Sequence, residues 1–154
     1  MLMLEGMTRF ESLAIQSIQR ALKQVPIDLH SPRIIFILST TKGNIELLSC
    51  SEDEQKRIEP GLAAAHIAHY FGFKTEPMVV CNACISGASA LILAQRLLQM
   101  GAYDTAVVCG VDVRCTLWGA RRARALLPAL DGFEQHDGHV AHLRELSARG
   151  RRRG

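Results

Sequence analysis

The chain has 154 residues, 48% of them hydrophobic, and a formal net charge of +3. These figures describe one globular domain and exclude a disordered or collagen-like chain. No run approaches the ~18–20 apolar residues needed to cross a bilayer, and Met1-Leu2-Met3-Leu4-Glu5 has neither the basic start nor the cleavage site of a secretory signal, so a cytoplasmic protein with no membrane partner is expected.

Thr8 to Val25 reads as an amphipathic helix, with Phe10, Leu13, Ala14, Ile18, Ala21, Leu22 and Val25 on one face, capping-box spacing between Thr8 and Glu11, and Pro26 as its stop. Arg33-Ile34-Ile35-Phe36-Ile37-Leu38 is a short, β-branched, continuously apolar run, which is the pattern of a strand buried on both faces in a parallel sheet. A polar turn, Ser39 to Gly43, follows, and Ile45 to Ile58 is expected to be helical only in part. Pro60 to Phe71 is a helix with Pro near its first position and Gly72 just past its end. Met78 to Cys81 is a second buried strand, Ile85 to Met100 a long helix closed by Gly101, and Thr105 to Cys109 a third strand.

The resulting order, α-β-α-β-α-β, predicts an α/β fold: a parallel-rich sheet with crossover helices. Leu91-Ile92-Leu93-Ala94 is apolar around the whole circumference of its helix, so helix 85–100 is expected to be buried on all sides, as between two sheets of a layered α/β/α/β/α protein.

Charge divides the chain in two. Residues 1–113 carry 9 basic and 11 acidic side chains, whereas 114–154 carry 9 basic and 4 acidic, and every basic residue of the second part is Arg. The expected division is therefore 1–113 as a domain and 114–154 as an Arg-rich tail, unrelated or out of frame, with a solvated end. Arg121-Arg122 and Arg151-Arg152-Arg153 could attract nucleic acid, but no aromatic platform or binding motif accompanies them, so no nucleic-acid partner is expected.

The cysteines carry the chemistry. Cys50, Cys81, Cys84, Cys109 and Cys115 are an odd number in a chain long enough to bury a core, which points to free thiols. A strand, then Cys81-Asn82-Ala83-Cys84, then a helix with small first turns (Ser86 to Ala90) puts Cys84 at a strand-to-helix turn. Free N–H groups and the positive end of the helix dipole there favour a thiolate and offer donors, the Cys84 N–H among them, for the oxyanion of an attacked carbonyl. Cys50, Cys81 and Cys109 read as structural. The Cys81-to-Cys84 spacing also fits a thioredoxin-like redox pair, an alternative weakened by the apolar helix that follows. A zinc site on this pair would need two further ligands at recognisable spacing. His66 with His69, and His136, His139 and His142, do not supply them, so no metal is expected.

Asn82-Ala83-Cys84-Ile85-Ser86-Gly87-Ala88-Ser89-Ala90, an apolar helix, and Gly101-Ala102-Tyr103-Asp104-Thr105-Ala106-Val107-Val108-Cys109-Gly110-Val111-Asp112 together resemble the nucleophile region of β-ketoacyl-acyl-carrier-protein synthases. The resemblance is strongest over Pro60 to Asp112 and continues back to Phe10. It implies a partial thiolase-like layered fold, with 1–113 as part of the ketosynthase N-terminal domain. It further implies Cys84 as the acyl-accepting nucleophile, acyl carrier protein as partner, and substrates carried on phosphopantetheine with no resident cofactor. Strand 77–81 would pair across a homodimer or a ketosynthase-like heterodimer. In this family the condensing His, Asn and Lys residues lie in the C-terminal half, and their motifs are absent here; the chain is therefore expected to be an incomplete enzyme. The alternative of a different class is a non-catalytic, dimerising remnant or chain-length-factor-like subunit.

Overall fold

The computed structural model describes residues 3–23, 25, 27–50, 55–113 and 142–147. Helix α1 (Arg9–Leu22) begins where the spacing predicts. The Thr8 hydroxyl accepts from the Glu11 N–H at 3.1 Å while the Glu11 carboxylate accepts from the Thr8 N–H at 2.8 Å, a complete capping box. It ends at Leu22, three residues short of the predicted Val25. The residue before a proline is disfavoured in helical geometry, which shortens a helix approaching Pro26.

Strand β1 (Ile34–Ser39) is buried at every position. The partly polar stretch after it forms two 3₁₀ turns, Ile45–Ser49 and Lys56–Ile58. Helix α2 (Pro60–Phe71) has Pro at its start and closes on Gly72 in the left-handed region (φ 73°). A side chain at Gly72 would also strike the His30 ring, which lies 2.5 Å from the place of its Cβ. Strand β2 (Met78–Val80), helix α3 (Ser86–Gln99) and strand β3 (Thr105–Gly110) complete the expected order.

With β4 spanning His142–Ser147, the sheet order is β2-β1-β3-β4, and β1 is parallel to both neighbours: Ile37 pairs with Met78, and Ile34 with Thr105. The chain moves outward from β1 to β2 and then back across β1 to β3. Two crossovers of one hand must therefore place their helices on opposite faces. They do so. Phe36 and Leu38 pack with α1 and α2 around Phe10, Ile15, Ile18 and Ile67, while Ile35 and Ile37 pack with Ala90, Ala94 and Leu98 of α3. The result is three layers, α/β/α, about a parallel centre.

Helix α3 is not buried on all sides: Ser86, Ala90, Ala94 and Leu98 form one buried stripe, and Ile92 remains 50% exposed. Its apolar circumference is suited to two neighbouring layers, and among the described residues only one sheet packs on it. Within the 114–154 segment, His142–Ser147 forms strand β4, antiparallel to β3 with Thr105 opposite Ser147. His-Leu-Arg-Glu-Leu-Ser lacks the period-2 alternation that marks a strand, so the pairing had no local signal. The rest of 114–154, including Cys115, Arg121, Arg122, His136, His139 and Arg151 to Arg153, lies outside the described residues.

One buried cluster has no counterpart in the sequence reading. The Glu11 side chain is fully buried, and besides its capping role its carboxylate accepts from Arg57 Nη2 at 2.8 Å and Asn44 Nδ2 at 3.3 Å, and pairs with His66 Nδ1 at 3.1 Å. Buried Asn44 also accepts from the Thr8 hydroxyl at 2.6 Å and donates to the Arg57 carbonyl at 2.9 Å. The group thus joins α1, α2 and both 3₁₀ turns. Arg33 and Asp104 make a different kind of pair, short at 2.6 Å but with both side chains half exposed or more. Its hydrogen bond from Arg33 holds the Asp104 carboxyl below its ordinary range, yet solvent screening leaves such a pair little effect on stability. Glu11→Ala is expected to lower stability by about 1–3 kcal/mol, the cost of stranding buried partners, and Asp104→Ala to leave the urea midpoint nearly unmoved. Equal shifts for the two variants would contradict this account.

Cys109, on β3, supplies a pH test. Burial pushes its thiol up to about 12 from an ordinary 9.0. The unfolded chain releases this proton first, so the contribution of the neutral thiol is whole below about pH 9 and is lost as pH rises toward the folded value. Denaturation of Cys109→Val is expected to show a shallower alkaline loss of stability than the parent between roughly pH 9 and 11.

Candidate functional site

All three parallel strands end at the same edge of the sheet, and the residues of chemical interest follow those ends. In open α/β sheets this carboxyl edge is where ligands bind. β1 runs into Thr40 and Thr41, β2 into Cys81 to Cys84, and β3 into Val111 and Asp112. Backbone bonds prolong the pairing just past the strands, from Thr40 N–H to the Val80 carbonyl (3.2 Å) and from Val111 N–H to the Ser39 carbonyl (3.0 Å).

Asp112 ties this edge together. Its carboxylate accepts from the Thr40 hydroxyl (2.9 Å), the Thr41 hydroxyl (2.8 Å), the Thr41 N–H (3.0 Å) and the Lys42 N–H (3.2 Å). Thr40 Oγ1 in turn accepts from the Gly43 N–H at 2.9 Å. The loop after β1 is therefore wrapped around a side chain from the end of β3. Cys81 joins it, its thiol donating to the Thr41 carbonyl at 3.6 Å.

Cys84 stands apart from this knot. It lies in a single 3₁₀ turn, Ala83–Ile85, between β2 and α3, and its side chain is exposed. The turn's two backbone bonds are donated by Ile85 (to Asn82) and Ser86 (to Ala83), so neither consumes the Cys84 N–H. Ala83, just before it, has φ 42°. Left-handed geometry costs an L-residue on the order of 1–2 kcal/mol, so surrounding bonds must impose it. They come from Ser86, whose buried hydroxyl accepts from the Asn82 N–H at 2.8 Å and donates to the Ala83 carbonyl at 2.7 Å. Asn82 adds a bond from its side-chain amide to Ser89 Oγ at 3.2 Å.

The predicted strand–turn–helix setting of Cys84 is present, and Cys84 and Cys81 lie at the two ends of the same short loop. Cys50, Cys81, Cys84 and Cys109 are all free thiols. Cys109 is buried as a structural residue would be, whereas Cys81 is exposed on the edge loop. His66 turns to Glu11, and His69 is exposed on α2. Among the described residues no group of three or more His, Cys, Asp or Glu side chains is placed to hold a metal ion, and no helix is long and apolar enough to cross a membrane. Thr40, Thr41 and Ser86 were not singled out from sequence as parts of the site. Ser86 at the start of α3 had a local signal, in the preference of Ser for bonding back to nearby backbone.

The chain matches the family described as beta-ketoacyl synthase, N-terminal domain, over residues 2–134, a span that continues past the change in composition at 113. No curated protein matches it. Among solved structures, the ishigamide ketosynthase/chain length factor superposes with a TM-score of 0.63 at 16% identity, over 82% of this chain and 40% of its own. The ketosynthase from module 6 of the bacillaene synthase of Bacillus subtilis 168 gives 0.57 at 20% identity, over 73% and 19%. The oxazolomycin ketosynthase domain of Streptomyces albus JA3453 gives 0.53 at 22%, over 70% and 26%. The chain thus spans well under half the length of these structures, which share the thiolase-like arrangement of its sheet and helices. It belongs to the β-ketoacyl synthase family, its residues 2–134 matching that family's N-terminal domain.

Proposed function

We propose that Cys84 accepts an acyl group from the thioester of an acyl carrier protein, and that the assembled enzyme condenses this group with malonyl-acyl-carrier protein after decarboxylation. The observation that carries the reading is the placement of an exposed thiol on a tight turn at the carboxyl edge of a parallel sheet, directly before α3. The Cys84 sulfur, as thiolate, attacks the thioester carbonyl carbon. The oxygen becomes an oxyanion that the Cys84 N–H can receive, and collapse breaks the old carbon–sulfur bond. The pantetheine thiolate leaves and takes up the proton that Cys84 gave up. Exchange between sulfurs of similar leaving ability needs no resident cofactor, and the substrate arrives on phosphopantetheine.

Family membership supports a condensing role, and the resemblance of Asn82 to Ala90 to the family's nucleophile region supports Cys84 as the acyl acceptor. Condensation itself calls for groups to bind and decarboxylate the malonyl unit, and the His and Lys motifs that do this in the family have no match in this sequence. We therefore assign acyl transfer to these residues and condensation to a larger assembly. Strand β2 lies at one end of the sheet order, with Met78 to Val80 only half buried. It is the edge through which a second copy, or a ketosynthase-like partner, would add its own strand.

Incubating the chain with an acyl-acyl-carrier protein is expected to add the acyl mass to the peptide containing Cys84, with the adduct lost in Cys84→Ala and kept in Cys81→Ala. Under limiting iodoacetamide Cys84 should be modified ahead of Cys81 and Cys109. An adduct on Cys81, or a reversible Cys81–Cys84 disulfide in place of acyl transfer, would favour thiol redox chemistry. A chain that dimerises but takes no acyl group would favour the chain-length-factor-like role.

A further inference from the structure

We propose that Ser86 is a positioning residue for Cys84, its side chain fixing the turn that presents the thiol; this rests on the reading of Cys84 as acyl acceptor. Ser86 is two residues beyond Cys84 and is buried, although it sits on the first turn of a helix whose neighbouring residues Cys84, Ile85, Gly87 and Ala88 are all exposed. Its hydroxyl points back across the turn and uses both of its capacities there. It accepts from the Asn82 N–H at 2.8 Å and donates to the Ala83 carbonyl at 2.7 Å.

Those two groups bracket the Cys84 backbone on its N-terminal side. Ala83 is the residue held at φ 42°, a conformation that an L-residue abandons when nothing enforces it. The Ala83 carbonyl is gripped twice by the same residue, by the Ser86 N–H and by its hydroxyl. Without the hydroxyl, the Asn82 N–H loses its acceptor and the carbonyl keeps only one bond. The turn then has no reason to hold Ala83 left-handed, and Cys84 swings with it. The consequence falls on the nucleophile because the peptide plane that Ala83 orients carries the Cys84 N–H and ends on the Cα from which the Cys84 side chain extends. Both bonds of the Ser86 hydroxyl go to the backbone of the turn, and through the turn Ser86 acts on Cys84.

The experiment compares the full chain with Ser86→Ala and Ser86→Thr, following iodoacetamide labelling of each cysteine peptide by mass spectrometry. Half-buried Cys50 serves as reference, and buried Cys109 reports unfolding. Ser86→Ala is expected to slow Cys84 labelling roughly five- to tenfold, the effect of one or two lost hydrogen bonds. Cys50 should be unchanged, Cys109 should stay protected, and Ser86→Thr should return Cys84 to within about twofold of the parent by restoring a hydroxyl. An unchanged Cys84 rate in Ser86→Ala with Cys109 protected overturns the proposal. If Ser86→Ala exposes Cys109, Ser86→Thr decides: a slow Cys84 beside a protected Cys109 overturns it, and a parental rate upholds it. Acyl transfer to the parent chain is measured alongside. Its failure sinks the acyl-acceptor reading, whereas the Ser86→Ala rate sinks or sustains the positioning role.

Discussion

A strand buried on both faces can carry no polar side chain until it stops, and the place where β1 stops sets the rest of the molecule. From Ile34 to Leu38 every side chain is apolar and enclosed, alternately by α1 with α2 and by α3. Ser39, Thr40 and Thr41 are the first hydroxyls along it, and they emerge beside the ends of β2 and β3 because parallel register brings Ser39 level with Val80 and Gly110. The hydroxyls that follow β1 are thereby gathered at one edge. Asp112 then closes that edge by accepting from four donors of a single loop, so the loop that meets Cys81 is anchored to the sheet.

How far this could be read from the sequence depended on the range of each interaction. Elements fixed by neighbours in the chain were legible: the capping box of Thr8 and Glu11, the Pro60 start and Gly72 end of α2, the unbroken apolar run of β1, and the strand–turn–helix around Cys84. What was hidden spans long separations. Glu11 meets Asn44, Arg57 and His66 only after α1 and α2 pack on one face, and nothing in the vicinity of Glu11 announces that its carboxylate serves more than its own helix end. Asp112 was visible as the last residue of a motif, but its binding of Thr40 and Thr41 follows from the β1–β3 register.

The misreading of α3 has a different cause. Its composition reports how much apolar surface the helix is suited to bury, and that surface includes Ile85 and Ile92, both half exposed or more. Composition cannot report how many layers one chain supplies. The first sheet covers the stripe of Ser86, Ala90, Ala94 and Leu98, which is rich in small residues and permits close approach of helix to strand. Ile92 faces outward, toward where a layered fold would set its next sheet, while Leu91, Leu93 and Leu97 pack partly against the core. An apolar helix is thus evidence about the complete architecture to which a segment belongs, and a part of that architecture shows the difference as exposed isoleucine.

The same thiol group takes three forms within this small edge, and the contrast explains why position decides chemistry. Cys109 on β3 is enclosed by the core on one face of the sheet, and desolvation of its anion keeps it a neutral hydrophobic group. Cys81, one residue past β2, spends its proton on the Thr41 carbonyl, so its sulfur is drawn to the loop that Asp112 holds. Cys84, three residues on, has left the strand and its hydrogen-bonding partners, and its backbone N–H is used by neither bond of its turn. There an accessible sulfur and a backbone N–H outside the turn's own bonds belong to one residue. A cysteine three residues earlier trades that pairing for a carbonyl contact, so Cys81 and Cys84, though both exposed, present their sulfurs in different settings.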